Sequence, residues 1–246
     1  MRILFNRYAN DIITMAKKVK TPDGAKTELV VGFVGAVGAD LDSVAEILKK
    51  RLESIGYKTN VIKISKDIIQ KLKPIDKCST RSASSQKTSK EYDRVMALMD
   101  AGDALREETQ NYGYLSYGAI DSIYKKRKTT NEYFSKDAKF QNERPLIGTA
   151  HIIVSLKHPA EVNVLRSTYP QGFYLIGVHA DRNDRIKFLR REKKINNNVE
   201  INKLMSRDAD EKLPYGQNVT ETFHLSDFFI YLDKESNLKK SVWRIV

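Results

Sequence analysis

The stretch Leu29-Val30-Val31-Gly32-Phe33-Val34-Gly35-Ala36-Val37-Gly38-Ala39-Asp40-Leu41-Asp42 decides the fold. Leu29 to Val34 is a short, nearly continuous apolar run, the pattern of a strand buried on both faces of a parallel sheet. It leads straight into a glycine turn. After the turn, Leu41, Val44, Ala45, Leu48, Leu52 and Ile55 recur at helical spacing, and Gly56 stands where a glycine ends a helix. Val61, Ile62 and Ile64, within Lys58 to Ile64, mark a second strand. Strand, helix and strand in this order form a βαβ unit with parallel strands, which sets the class as α/β.

The alternation continues outward. Cys78 to Lys90 is rich in Ser, Thr and Lys without apolar periodicity and reads as a mobile loop. A helical insert over about 91–128 follows: one helix from Tyr92, Val95, Met96, Met99 and Leu105, another from Leu115, Ala119, Ile120 and Ile123, with a tyrosine-rich junction at Tyr112-Gly113-Tyr114. Strand character returns at Leu146 to Leu156, a helix opens at Pro159, and Phe173 to Val178 is a further strand. Helix from about Asp181 to Arg191, a polar hinge at Asn196 to Asn198, more helix through Met205 and a last strand near Phe228 to Ile230 complete the pattern. The expected organisation is an N-terminal extension over 1–28, one α/β domain over 29–234 and a C-terminal segment over 235–246.

Composition narrows the function classes. No run of eighteen apolar residues occurs and polar groups interrupt the N-terminus early, so a cytoplasmic protein without a membrane partner is expected. One cysteine, Cys78, and four histidines in no ligand spacing leave neither a disulfide framework nor a zinc site. The formal charge of +12 suits polyanionic partners, whether RNA, DNA or nucleotides. The basic runs Lys125 to Lys128 and Arg190 to Lys194 fall at the ends of helical patterns, where the helix dipole favours cations, so solvated helix ends are their first reading and nucleic-acid binding the second.

A strand that feeds a glycine turn opening a helix gathers free backbone N–H groups and a positive helix end at one place, which suits a phosphate. The working phosphate loop places a second glycine, then Lys, then Ser or Thr, after four intervening residues. Along Gly35, Ala36, Val37, Gly38, Ala39, Asp40, Leu41 and Asp42, those three positions hold Asp40, Leu41 and Asp42. The lysine that neutralises the β- and γ-phosphates and the hydroxyl that holds Mg²⁺ are both replaced. Three readings stand side by side. Asp40 is an N-cap and Asp42 a favourable first-turn anion; or the loop takes a nucleotide in a non-standard way; or Gly32, Gly35 and Gly38 form a variant dinucleotide fingerprint with Asp67 as its acid.

Beyond the loop, Ser155, Lys157 and His158 follow a buried strand and are expected to face a cleft at its carboxyl end, although a lone histidine before a proline is more often a surface turn residue. Arg182, Arg185, Arg190 and Arg207 fall where kinase-like folds carry a phosphate-clamping lid, and the planar guanidinium fork suits phosphate oxygens. Asp208, Asp210 and Glu211 stand close behind and can pair with those arginines, lowering any phosphate affinity.

Leu29 to Leu41, Lys157 to Arg166, Gly172 to Val178, Arg207 to Glu211 and Tyr215 to Ile230, in this order, resemble the N-terminal half of the anti-phage dCTP/dCMP deaminases. The resemblance implies a P-loop nucleotide-kinase-like three-layer α/β sandwich with a mainly parallel sheet and a helical insert. It also implies a C-terminal zinc-dependent deoxycytidylate deaminase domain as partner. Such deaminases need His-x-Glu and Pro-Cys-x-x-Cys, and neither occurs here, so the sequence reads as an isolated N-terminal domain with zinc expected only in the deaminase part. The expected function is a regulatory domain, sensing a deoxynucleotide or a regulatory RNA, of an enzyme that depletes deoxycytidine nucleotides in antiviral defence. Two rivals come from other classes. One is an active nucleotide kinase in which Lys157 or Arg182 replaces the missing lysine; the other is a homo-oligomerisation domain displaying Tyr112, Tyr114 and Tyr117.

Overall fold

The computed structural model describes residues 26–74, 88–131, 144–209, 215–232 and 235–245. The expected extension up to residue 25, most of the expected loop at 78–90, and Asp210 and Glu211 lie outside them.

The deciding stretch folds as its pattern dictates. Strand β1 (Leu29–Gly35) runs into a turn and then helix α1 (Leu41–Ser54). Strand β2 (Lys58–Lys63) continues into a π-helical turn, Ile64–Ile69, and a short α-helical extension, Gln70–Leu72, together α2. The insert is two helices, α3 (Lys90–Thr109) and α4 (Tyr114–Asn131). Then come β3 (Thr149–Val154), α5 (Pro159–Thr168), β4 (Phe173–His179), α6 (Arg182–Arg191) and α7 (Asn198–Ala209). Helix α8 (Val219–His224), β5 (Phe228–Tyr231) and α9 (Glu235–Trp243) finish the chain. Among the described residues no helix is long and apolar enough to cross a membrane.

Among the described residues five strands lie in the order β2-β3-β1-β4-β5, and every pairing is parallel. This is the P-loop-kinase-like sandwich. The order also removes the dinucleotide reading: a dinucleotide fold places the second strand beside the first, whereas here β3 stands between them. Asp67 instead accepts the Lys63 N–H at 2.8 Å and closes the end of β2.

Alternate residues of the buried strands build two cores. Val30 and Val34 of β1, Ile153 of β3 and Leu175 of β4 pack beneath α2, α3, α4, α5 and α8. Val31, Phe33, Ile152, Val178 and Ile230 pack against Leu41, Val44, Leu48 and Leu52 of α1 on the opposite face. Leu238 and Val242 of α9 join that second core. A third cluster seats Ile201, Leu204 and Met205 of α7 and Leu189 of α6 on Tyr92 and Met99 of α3. The region expected as a lid is thereby packed on the helical insert.

The amino-terminal edge of the sheet carries an unexpected cluster. Buried Glu28 accepts from Arg127 Nε at 3.0 Å, from the Leu146 N–H at 3.1 Å, and faces His151 Nε2 at 3.1 Å. Arg127 therefore turns inward from a basic run that reads as solvated helix end, and Lys125 of the same run pairs with Asp121 at 2.6 Å. Tyr114 and Tyr117 pack against the first core and are not a displayed aromatic set; Tyr112 alone of the three is exposed.

Candidate functional site

The connections from β1 and β3 leave in opposite directions across the sheet, which opens a crevice at the carboxyl ends of these two strands. A cleft of about 250 Å³ lies there, walled by residues 35–42, the end of β2, one side of α3, Ser155, Lys157, Glu161, Phe188, Leu189 and Asp208.

The glycine turn forms the floor. Gly38 has φ +87°, a conformation that favours glycine, and a side chain there would stand 2.9 Å from the backbone oxygen of Arg185. Gly35 is equally confined, since a Cβ would stand 2.8 Å from Leu41 Cδ2 and 3.0 Å from the Val178 carbonyl. These close approaches explain why glycine occupies both positions. Asp40 is the N-cap of α1, accepting from the Ser43 N–H at 3.1 Å, as its capping reading requires. Leu41 is buried in the core and Asp42 pairs with Lys63 Nζ at 2.7 Å.

The upper wall is a chain of paired charges. Lys157 Nζ donates to the Gly35 carbonyl at 2.9 Å and to Asp208 Oδ1 at 2.7 Å. The other oxygen of Asp208 accepts the Val37 N–H at 2.6 Å. Behind them, Glu161 accepts the Lys157 N–H at 2.8 Å and Arg106 Nη2 at 3.0 Å. Arg106 also donates to Asp103 at 2.9 Å, and Arg207 donates to Asp103 and to Asp100, each at 2.7 Å. Asp208 and Glu161 are fully buried, which pairing with lysine and arginine makes tolerable. Ser155, at the edge of the cleft, holds φ +77° while its N–H and that of Leu156 both donate to the Phe33 carbonyl. Such backbone strain outside glycine gathers at working sites.

The expected site residues divide. The loop, Lys157 and Ser155 come together in one cleft. Arg185 lies beside the loop with Nη1 3.4 Å from the Val37 carbonyl, and burial lowers the pKa of its guanidinium from the usual value. Arg207 braces α7 against α3 through Asp100 and Asp103. His158 does not line the cleft; its Nδ1 accepts the Ala160 N–H at the start of α5 and its ring stacks on Tyr112 at 4.8 Å. Burial there lowers the imidazole pKa. Arg182 and Arg190 likewise stay outside, donating to Asn202 and Asn198 on exposed faces of α6 and α7. Asp208 pairs with a lysine and a backbone N–H where arginine partners were expected. Arg106 and Glu161 went unforeseen, since each sits within a helical pattern that gives no sign of the cleft.

The residues present do not fit Mg²⁺–ATP as kinases hold it. The position of the phosphate-neutralising lysine is a core leucine, the metal-hydroxyl position is a carboxylate already paired with Lys63, and a loop N–H is engaged by Asp208.

No protein-family model and no curated protein matches the chain. Among solved structures the chain is similar to an uncharacterized protein from Eubacterium ventriosum, with 12% identity, a TM-score of 0.43, and 88% of this chain and 97% of that one covered. A gluconokinase from Sinorhizobium meliloti gives 11% identity and a TM-score of 0.42, with 89% and 91% covered. Shikimate kinase from Acinetobacter baumannii in complex with shikimate gives 10% identity and a TM-score of 0.39, with 89% and 92% covered. These scores are low, and the kinase-like fold of the chain stands on its own strand order and on the turn between β1 and α1.

Proposed function

We propose that this domain is a nucleotide-sensing relative of P-loop kinases, one that binds a deoxynucleotide without transferring its phosphate and serves as the regulatory half of an anti-phage deoxycytidylate deaminase. One observation carries the reading. The backbone cradle after β1 and the ammonium of Lys157 stand together in the cleft, whereas the two side chains that drive phosphoryl transfer are replaced by buried Leu41 and lysine-paired Asp42. Such a site keeps the means to hold a phosphate and lacks the means to activate one. The deaminase partner, with its zinc, rests on the resemblance of the five sequence segments. A nucleotide is favoured over RNA because Arg127, one of the four cations in the basic run of α4, is turned inward onto Glu28 and is lost to an RNA-facing surface.

Thermal melting of the purified domain with dCMP, dCTP or ATP and Mg²⁺, alongside transfer of radiolabelled phosphate, tests this. A deoxycytidine nucleotide at a hundredfold excess over its Kd is expected to stabilise the fold by about 2.7 kcal/mol. For a chain of this size that is roughly 5–10 °C. No label is expected to move. Absence of any shift with every deoxynucleotide, or label transferred at enzymatic rates, contradicts the reading.

A working kinase has one observation in its favour: Lys157 Nζ reaches the loop at 2.9 Å and could replace the missing lysine. Transfer that is present in the wild type and abolished in Lys157→Met establishes that alternative.

A further inference from the structure

The contact between Asp208 and the glycine turn links residues 171 positions apart and places a carboxylate where a phosphate loop receives its ligand. One oxygen takes the Val37 N–H at 2.6 Å and the other takes Lys157 Nζ at 2.7 Å. A backbone N–H and an ammonium sharing one anion is the recognition chemistry of a phosphoryl group. We propose that Asp208 is a built-in occupant of the phosphate seat, so that a phosphorylated ligand binds only by displacing this carboxylate and, with it, the end of α7.

The surroundings suit such an exchange. Asp208 is fully buried and lies in the last turn of α7, so its seat on the loop latches that helix over the cleft. Arg185 stands behind the loop, its Nη1 3.4 Å from the Val37 carbonyl, and its buried Nε meets no acceptor among the described residues. Arg207, next in the chain, is held by Asp100 and Asp103 of α3, and Leu204 and Met205 pack on that same helix. Withdrawal of Asp208 therefore strains the docking of α7 on the insert, and seat occupancy is transmitted to the α7–α3 contact. This proposal rests on the phosphate-binding reading of the cleft and adds its regulation. A site blocked by its own side chain shows an apparent affinity reduced by the fraction of molecules in which it stands open.

Binding of inorganic pyrophosphate, measured by calorimetry at fixed ionic strength in the wild type and in Asp208→Asn, separates the possibilities. The amide has nearly the shape of the carboxylate but no charge to rival a phosphate. Asp208→Asn is expected to bind pyrophosphate at least about tenfold more tightly, and Asp208→Asn combined with Lys157→Met to lose that gain. Equal or weaker binding by Asp208→Asn overturns the proposal while leaving the cleft a phosphate site; no binding by either protein, to pyrophosphate or to dCTP, overturns both. A second measurement needs no variant. In ¹⁵N-labelled wild type, saturating pyrophosphate is expected to shift the amide resonances of both Val37 and Asp208. Binding that leaves these two unmoved contradicts the displacement.

Discussion

Arg106→Met is expected to destabilise the domain by about 3–5 kcal/mol, the cost typical of removing one member of a buried ion pair. Arg106 is 1% exposed and bridges Glu161, itself fully buried, and Asp103. Methionine matches the volume of the stem, so the cavity contribution is small and the loss is electrostatic: fully buried Glu161 is left without its guanidinium, while Asp103 keeps Arg207. Among the described residues Glu161 then keeps the Lys157 N–H alone. A loss of this size lowers the melting temperature of a chain this long by on the order of 10 °C. Arg106→Lys, which keeps the charge but cannot fork to two partners, is expected to fall between. Pairing Arg106→Met with Glu161→Met should cost less than the sum of the single changes, since the orphaned charge is gone. Chemical denaturation of the four proteins measures this coupling; strict additivity contradicts it.

The second large effect concerns acid stability through Glu28. Burial by itself pushes this carboxyl up, but hydrogen bonds from His151 and Arg127 and their charges outweigh it and hold the pKa at about 2, against 4.5 for an unperturbed glutamate. Because the folded value is the lower one, the stabilisation is fully present above about pH 4.5 and disappears as pH falls through 2. The shift corresponds to about 3 kcal/mol, without a discount for solvent screening because the carboxylate is buried. Glu28→Gln should therefore be less stable than the wild type by about this amount at pH 7. Below pH 4.5 the two should converge. Urea melts of both proteins from pH 7 to pH 2 give the difference directly; a gap that stays constant across that window contradicts the assignment.

Much of the fold was legible because it rests on local periodicity. The apolar run of β1, the glycine turn and the spacing of Val44, Leu48 and Leu52 are each dictated by neighbours in sequence, and the structure follows them. Lys157 was legible for a related reason: a strand of six buried residues has its active end where the apolar run stops. What escaped depends on partners far along the chain. Arg106 meets Glu161 55 positions away and Arg127 meets Glu28 99 positions away, and no pattern within a helix distinguishes these arginines from solvated ones. His158 was misplaced because its ring folds back to cap α5 instead of pointing into the cleft. Helix α8, only six residues long, gives too short a period to detect, and the nine-residue α9 escaped likewise, since Leu238 and Val242 alone mark its buried face.

Whether the cleft is an anion seat without a phosphoryl-transfer apparatus is decided by titrating dCTP into ¹⁵N-labelled wild-type domain, with and without Mg²⁺. Saturable shifts of the Ala36, Val37, Gly38 and Ala39 amides, little dependence on Mg²⁺, and intact dCTP recovered at the end are expected. Saturable binding that leaves those four amides untouched, or binding that requires Mg²⁺ and consumes the triphosphate, would contradict that assignment.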